Sequence, residues 1–139
     1  MTERRLIGYQ VKRLDQLIEA TFDQATVESG MTRREWQVLN TLVRAPAAAD
    51  TLQDALRPFW ETDADSVAAL TGALIVRGWL TRDADSRFAV TEAGAAAHTR
   101  AARAVAAIRE RMTTGISRDE FDTLTTTLAR MIGNLESAL

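Results

Sequence analysis

Residues 77–94 read Arg77-Gly78-Trp79-Leu80-Thr81-Arg82-Asp83-Ala84-Asp85-Ser86-Arg87-Phe88-Ala89-Val90-Thr91-Glu92-Ala93-Gly94, and this stretch decides the fold. Gly78, which tolerates a left-handed backbone, ends the helix before it. Trp79 and Leu80 begin a short strand, Asp83 to Ser86 turn, and Phe88 to Val90 return as its partner. Thr91 supplies a hydroxyl that caps the next helix.

Upstream, Thr62 is placed to cap a helix with Asp63 and Asp65 in its first turn, where carboxylates interact favourably with the helix dipole. Its buried stripe is Val67, Leu70 and Leu74. Before it, Asp50 or Thr51 caps a short helix with Leu52, Ala55 and Leu56 inward, stopped by Pro58, and Phe59 and Trp60 fall in the turn. Thr32-Arg33-Arg34-Glu35 spells a capping box that starts an earlier helix with Trp36, Leu39, Leu42 and Val43 on its apolar side, ended before Pro46. From Glu3 to about Val27, Ile7, Val11, Leu14 and Ile18 recur at spacings of four and three, widened by Leu6, Leu17 and Phe22, so a first long helix is expected before Ser29 and Gly30 break the pattern.

Downstream, an alanine-rich helix carries Val105, Ile108 and Met112 and closes at Gly115. Ser117 to Glu120 form a second capping box, and Phe121, Leu124, Leu128, Met131 or Ile132, and Leu135 stripe the last helix. The stripes of the first, fifth and last helices either complete an intramolecular bundle or meet a second copy of the chain.

The 139 residues suit one domain and one core, with 46% apolar and 26% charged residues, as in soluble globular chains. No apolar run nears the ~20 residues of a membrane span, and Met1-Thr2-Glu3-Arg4-Arg5 lacks a signal-peptide pattern, so a cytoplasmic address without membrane contact is expected. Zero cysteines remove disulfides, thiolate ligands and cysteine nucleophiles. The single histidine, His98, has no acidic pair at ligand spacing, so neither a metal nor a cofactor is expected. No Ser/His/Asp order or glycine-rich phosphate loop stands out, so no catalytic residue is assigned.

The order is thus helix, helix, short helix, turn, helix, hairpin, long helix, long helix: a mainly α chain with a small two-stranded β wing. Residues 52–91 make a helix-turn-helix followed by a wing, an arrangement that lays one helix in the DNA major groove. Met31-Thr32-Arg33-Arg34-Glu35-Trp36-Gln37-Val38-Leu39, Arg77-Gly78-Trp79-Leu80-Thr81-Arg82 and Asp85-Ser86-Arg87 to Val90-Thr91-Glu92-Ala93-Gly94 resemble three signatures of the MarR family, in family order. The resemblance covers nearly the whole chain. It implies a winged helix-turn-helix with long N- and C-terminal dimerisation helices. The domain is 1–139, with a head at 32–94 and dimerisation helices at 1–28 and 92–139. It further implies a homodimer on a palindromic operator in double-stranded DNA, regulating transcription in response to a small aromatic or amphipathic ligand.

On that reading DNA is met by Asp65, Ser66, Ala68, Ala69 and Gly72 of the fourth helix, beside Val76, and by Arg82, Ser86 and Arg87 of the wing. The helix face departs from the family pattern: it holds no arginine for bidentate guanine readout, though alanines can meet thymine methyl groups. Residues 45–94 carry four basic side chains against eight acidic ones, a net −4, a poor footprint for phosphates. Arg87 either reaches DNA or pairs with Asp83 or Asp85. Tyr9, Arg13, Trp36 and His98 match the family's ligand region, with Trp36 as core and His98 as a surface or packing residue the plainer alternatives. The competing function is a MarR-like scaffold that has lost DNA binding and binds or transforms a small molecule.

Overall fold

A computed structural model describes residues 6–27, 30–60 and 62–139, in the order α1 (Ile7–Ala25), α2 (Arg33–Leu42), α3 (Ala49–Leu56), α4 (Ala64–Val76), β1 (Leu80–Arg82), β2 (Phe88–Val90), α5 (Glu92–Met112) and α6 (Arg118–Ala138). The expected helix start at Glu3 and the break at Ser29 lie outside the described residues. α1 stops at Ala25 rather than Val27, with Thr26 as its C-cap.

Both capping boxes form. Thr32 accepts from the Glu35 N–H at 3.1 Å while Thr32 N–H donates to Glu35 Oε1 at 2.8 Å, and Ser117 and Glu120 do the same at 3.1 and 2.9 Å. Such caps stabilise a helix by about 1 kcal/mol each. Glu35 reaches further: its Oε2 lies 3.4 Å from Arg77, whose guanidinium also donates to Gly30 O at 3.1 Å and lies 3.7 Å over the Trp79 ring. One arginine at the end of α4 thereby clamps the α1–α2 corner to the entry of the hairpin.

Two caps differ from expectation. Ala48, not Asp50 or Thr51, precedes α3. Ala47 exchanges backbone hydrogen bonds with Phe88, at 3.1 and 2.8 Å, which pins the chain and turns it into the helix earlier. Asp63, not Thr62, caps α4 by accepting from Ser66 N–H at 2.7 Å, and that hydrogen bond holds the Asp63 carboxyl below its usual pKa. The Thr62 hydroxyl instead donates to Gln53 O at 3.3 Å.

α4 ends in a Schellman turn: Gly78 at φ +80° donates to Ile75 O at 2.9 Å, and Trp79 N–H to Leu74 O at 3.0 Å. That turn holds Trp79 outside the ladder, so β1 begins at Leu80. The strands pair antiparallel with Leu80 opposite Val90 and Arg82 opposite Phe88. Thr91 then caps α5, accepting from Gly94 N–H at 3.0 Å.

The core gathers Met31, Val38, Leu39, Leu42, Leu52, Leu56, Val67, Leu74, Leu80 and Phe88, closed by Ala97 and Ala101 of α5. Each buried leucine contributes about 1.5–3 kcal/mol. Leu70 packs against the core but is only half-buried, and Ala55 is exposed; beside Leu70 the fully buried position is Thr71, whose hydroxyl is satisfied by Val67 O at 2.9 Å. The chain divides into two compact units, one reaching to Val105 and the other running from Ala106 to Leu139. In the second unit Gly115 takes φ +78° and Arg109 lies 4.8 Å over the Phe121 ring. None of the described helices is long and apolar enough to cross a membrane.

Candidate functional site

With Val67, Thr71 and Leu74 anchored in the core, α4 turns Asp65, Ala68, Ala69, Gly72 and Val76 outward, and Ser66 sits half-buried at its start. Ala68 and Gly72 also line a groove of about 180 Å³ with Ala49, Gln53, Arg82 and Phe88, so the outermost positions are Asp65, Ala69 and Val76. Val76 is 88% exposed. The face is shallow and largely uncharged, suited to close approach and apolar contact more than to hydrogen-bonded base readout.

The hairpin tip is organised by Asp83. Its Oδ1 accepts from the Asp85 and Arg87 N–H groups, both at 2.9 Å, and its Oδ2 from Arg87 Nε at 3.0 Å. These bonds, the one from the Arg87 backbone foremost, lower the Asp83 pKa. Arg87 also reaches Asp85 at 3.4 Å. The pairing foreseen as one alternative for Arg87 is therefore made in the chain as it stands. Arg82 lies 4.4 Å over the Phe88 ring and donates to Ser86 O at 3.2 Å, with Ser86 at φ +61°.

A second cluster joins elements far apart in sequence. Trp36 of α2 and His98 of α5 stack at 4.6 Å and 8° between planes, Phe22 of α1 lies 6.5 Å from Trp36, and His98 Nε2 is 3.0 Å from Asn40 Oδ1. Sequence reasoning named Trp36 and His98 but missed Asn40, for which no local signal exists. Tyr9 and Arg13 are exposed near the start of α1. Tyr9 stands 13 residues, about 20 Å of helix, from Phe22, so within one chain the four expected ligand residues do not converge.

Burial lowers the His98 pKa from its usual 6.5. A histidine whose folded pKa is depressed binds its proton more readily when unfolded, so its contribution is intact above pH 6.5 and is lost as pH falls through that value toward the folded pKa. We expect the His98 ring resonances to titrate below pH 6.5. We also expect the thermal midpoint to fall more between pH 7.5 and 5.5 in the native chain than in His98→Phe; equal falls would assign that window to other groups.

A winged helix DNA-binding domain family matches residues 31–94. Solved structures similar over most of the chain include a MarR-family transcriptional regulator from Rhodococcus sp. RHA1 (21% identity, 90% of this chain and 92% of that one, TM-score 0.80). CouR from Rhodococcus jostii RHA1 bound to p-coumaroyl-CoA is similar at 21% identity, 91% of each chain and TM-score 0.80. A transcriptional repressor CouR bound to a 23-mer DNA duplex is similar at 25% identity, 92% and 93% coverage and TM-score 0.79. No curated protein matches the sequence.

Proposed function

Because the chain is a winged-helix protein with the fold of the MarR regulators, we propose that it is a homodimeric, ligand-responsive regulator of transcription. In this reading residues 1–139 act as one domain. The head, 32–94, meets a palindromic operator through Asp65, Ser66, Ala68, Ala69, Gly72, Arg82, Ser86 and Arg87, and the segments 1–28 and 92–139 join two copies. The observation that carries it is α4 itself: a helix of 13 residues, tightly capped at both ends, presents an uncovered face immediately before a hairpin. A repressor of this fold occupies a DNA duplex and others hold p-coumaroyl-CoA, which supports both a DNA partner and a small-molecule effector. The Trp36–His98 stack supplies a flat wall for such an effector, and Tyr9 and Arg13 would contribute through the dimer.

Affinity for DNA rests on few cations, so it should be weak and salt-sensitive. Mobility shifts with the region upstream of the chain's own gene test this at low and moderate salt. Arg87→Ala should weaken binding across sequences and flatten the salt slope by about one. Asp83→Asn keeps an oxygen for the turn N–H groups but frees Arg87 from an ion pair, and should strengthen binding severalfold. The second reading, a scaffold without DNA, is favoured by the alanine face and the net −4 of residues 45–94; no shift at low salt, in any of the three proteins, would establish it over the first.

A further inference from the structure

The groove between α3, α4 and the hairpin is lined along α4 by Ala64, Ala68, Gly72 and Ile75, with Ala49 and Gln53 contributed by α3. From Ala64 to Ile75 it follows the helix for about three turns, or roughly 16 Å. Of the exposed residues of α4 only Asp65 is polar; the rest are alanines, Gly72, Ile75 and Val76. Ser66 is half-buried, and the Thr71 hydroxyl is spent on Val67 O and Ala68 O at 2.9 and 3.2 Å. The outward face of α4 therefore carries no cation. Ile75 and the far more exposed Val76 extend the groove into a continuous apolar strip of the kind that marks a protein contact.

The border of this strip is anionic. Asp50 adjoins Ala49, and Asp63 and Asp65 flank Ala64; all three are exposed, and none makes an ion pair among the described residues. Arg82, the charged side chain that lines the groove, lies over the Phe88 ring and donates to Ser86 O. Arg57 is taken by Asp54, and Arg87 by Asp83 and Asp85. Carboxylates without partners around an apolar strip disfavour phosphates. They also disfavour a second copy of the chain, because a two-fold contact on this face brings one acidic border against the other. What they complement is a cationic segment with apolar side chains at helical spacing. Ala68 and Gly72 keep the wall low, so a helix can approach closely.

We propose that this groove docks a cationic amphipathic helix of a partner protein, its apolar side chains over Ala68, Gly72 and Ile75 and its lysines or arginines against Asp50, Asp63 and Asp65. The occupant goes beyond the DNA reading of the same face, and its test needs no DNA. The ¹⁵N-labelled full-length chain is titrated with a leucine–lysine peptide of about 15 residues, long enough for a helix, with leucine at every third or fourth position. Gly72 is one of seven glycines, and its amide signal is assigned with Gly72→Ala. The Gly72, Ala69 and Val76 signals should move saturably. A leucine–glutamate peptide with the same leucine spacing should bind at least about tenfold more weakly. Ala69→Lys should weaken the lysine peptide about tenfold, and Asp50→Asn combined with Asp65→Asn severalfold; asparagine at 50 keeps an acceptor for the Thr51 N–H. The proposal is overturned if the α4 signals stay fixed at millimolar peptide, if only α1 and α6 respond, or if the glutamate peptide matches the lysine one. It is equally overturned if the Gly72 signal moves on dilution of the chain alone, which would put a second copy on the face, or if a DNA duplex moves it and the lysine peptide does not. Mobility shifts are read without peptide, so failure of either reading leaves the other standing.

Discussion

Gly94→Ala will destabilise the protein by about 3 kcal/mol, at the upper end for overpacking, and lower the thermal midpoint by on the order of 10 °C. A Cβ at Gly94 would run into the Trp79 carbonyl oxygen and come within 2.9 Å of both the Trp79 carbonyl carbon and Val90 Cγ1. The obstacle is backbone, and it is already committed. Trp79 O accepts from Thr91 N–H at 3.0 Å, Thr91 Oγ1 donates to Gly78 O at 2.6 Å, and Trp79 N–H closes the Schellman turn on Leu74. Relief would require pulling α5 off the hairpin or opening the end of α4. Gly72→Ala is the control, since nothing lies within 4 Å of its Cβ, and in mid-helix it should stabilise by up to about 1 kcal/mol. Calorimetry on both variants decides the matter: a Gly94→Ala midpoint within two or three degrees of the native one would show that the close approach is relaxed without cost.

The same junction explains what could be read from sequence. Gly78, Thr91 and the two capping boxes act over three or four residues, so their chemistry is written where their effect falls. Asp50 and Thr51 also have good cap chemistry, yet they do not cap, because the entry to α3 is fixed by a bridge from Ala47 to Phe88, 41 residues away; Thr62 does not cap α4 because Asp63 holds the Ser66 N–H and the Thr62 hydroxyl goes to Gln53 O. Thr71, buried next to Leu70, is not legible in the same way, because hydrophobicity cannot register a hydroxyl that is satisfied by its own helix at Val67 O.

Site residues divide along the same line. The outward face of α4 follows from helical periodicity and was legible once Val67 and Leu74 were assigned inward. The pairing of Arg87 with Asp83 was legible as an alternative, since both lie in one turn. The contact of His98 with Asn40 spans 58 residues. No local pattern carries such information.

The strongest test of the proposed assembly comes from side chains the core does not use. At the N-cap of α1 and along it, Leu6, Ile7, Val11, Leu14 and Leu17 are 45–59% exposed, and on α6 Leu124, Met131, Ile132 and Leu135 are 43–69% exposed. α6 has no buried residue at all. Contiguous apolar stripes of this length are rarely left in water, and on two helices of one chain they suit a two-fold interface. Leu14→Glu and Ile132→Glu each put a carboxylate into such an interface without touching the core. An unpaired charge buried there costs about 3 kcal/mol, which weakens association about 100-fold. Sedimentation should therefore show a dimer for the native chain and monomers for both variants at micromolar concentration, with far-UV circular dichroism retained. DNA affinity should fall in parallel, because a monomer engages one half-site where a dimer engages two. Val76→Glu separates this from a general effect of surface charge: Val76 is more exposed than any of these, but it lies on α4, outside the stripes, and its variant should remain dimeric. A native chain that sediments as a monomer, or glutamate variants that keep the native mass, would leave α1 and α6 without the role their apolar faces imply.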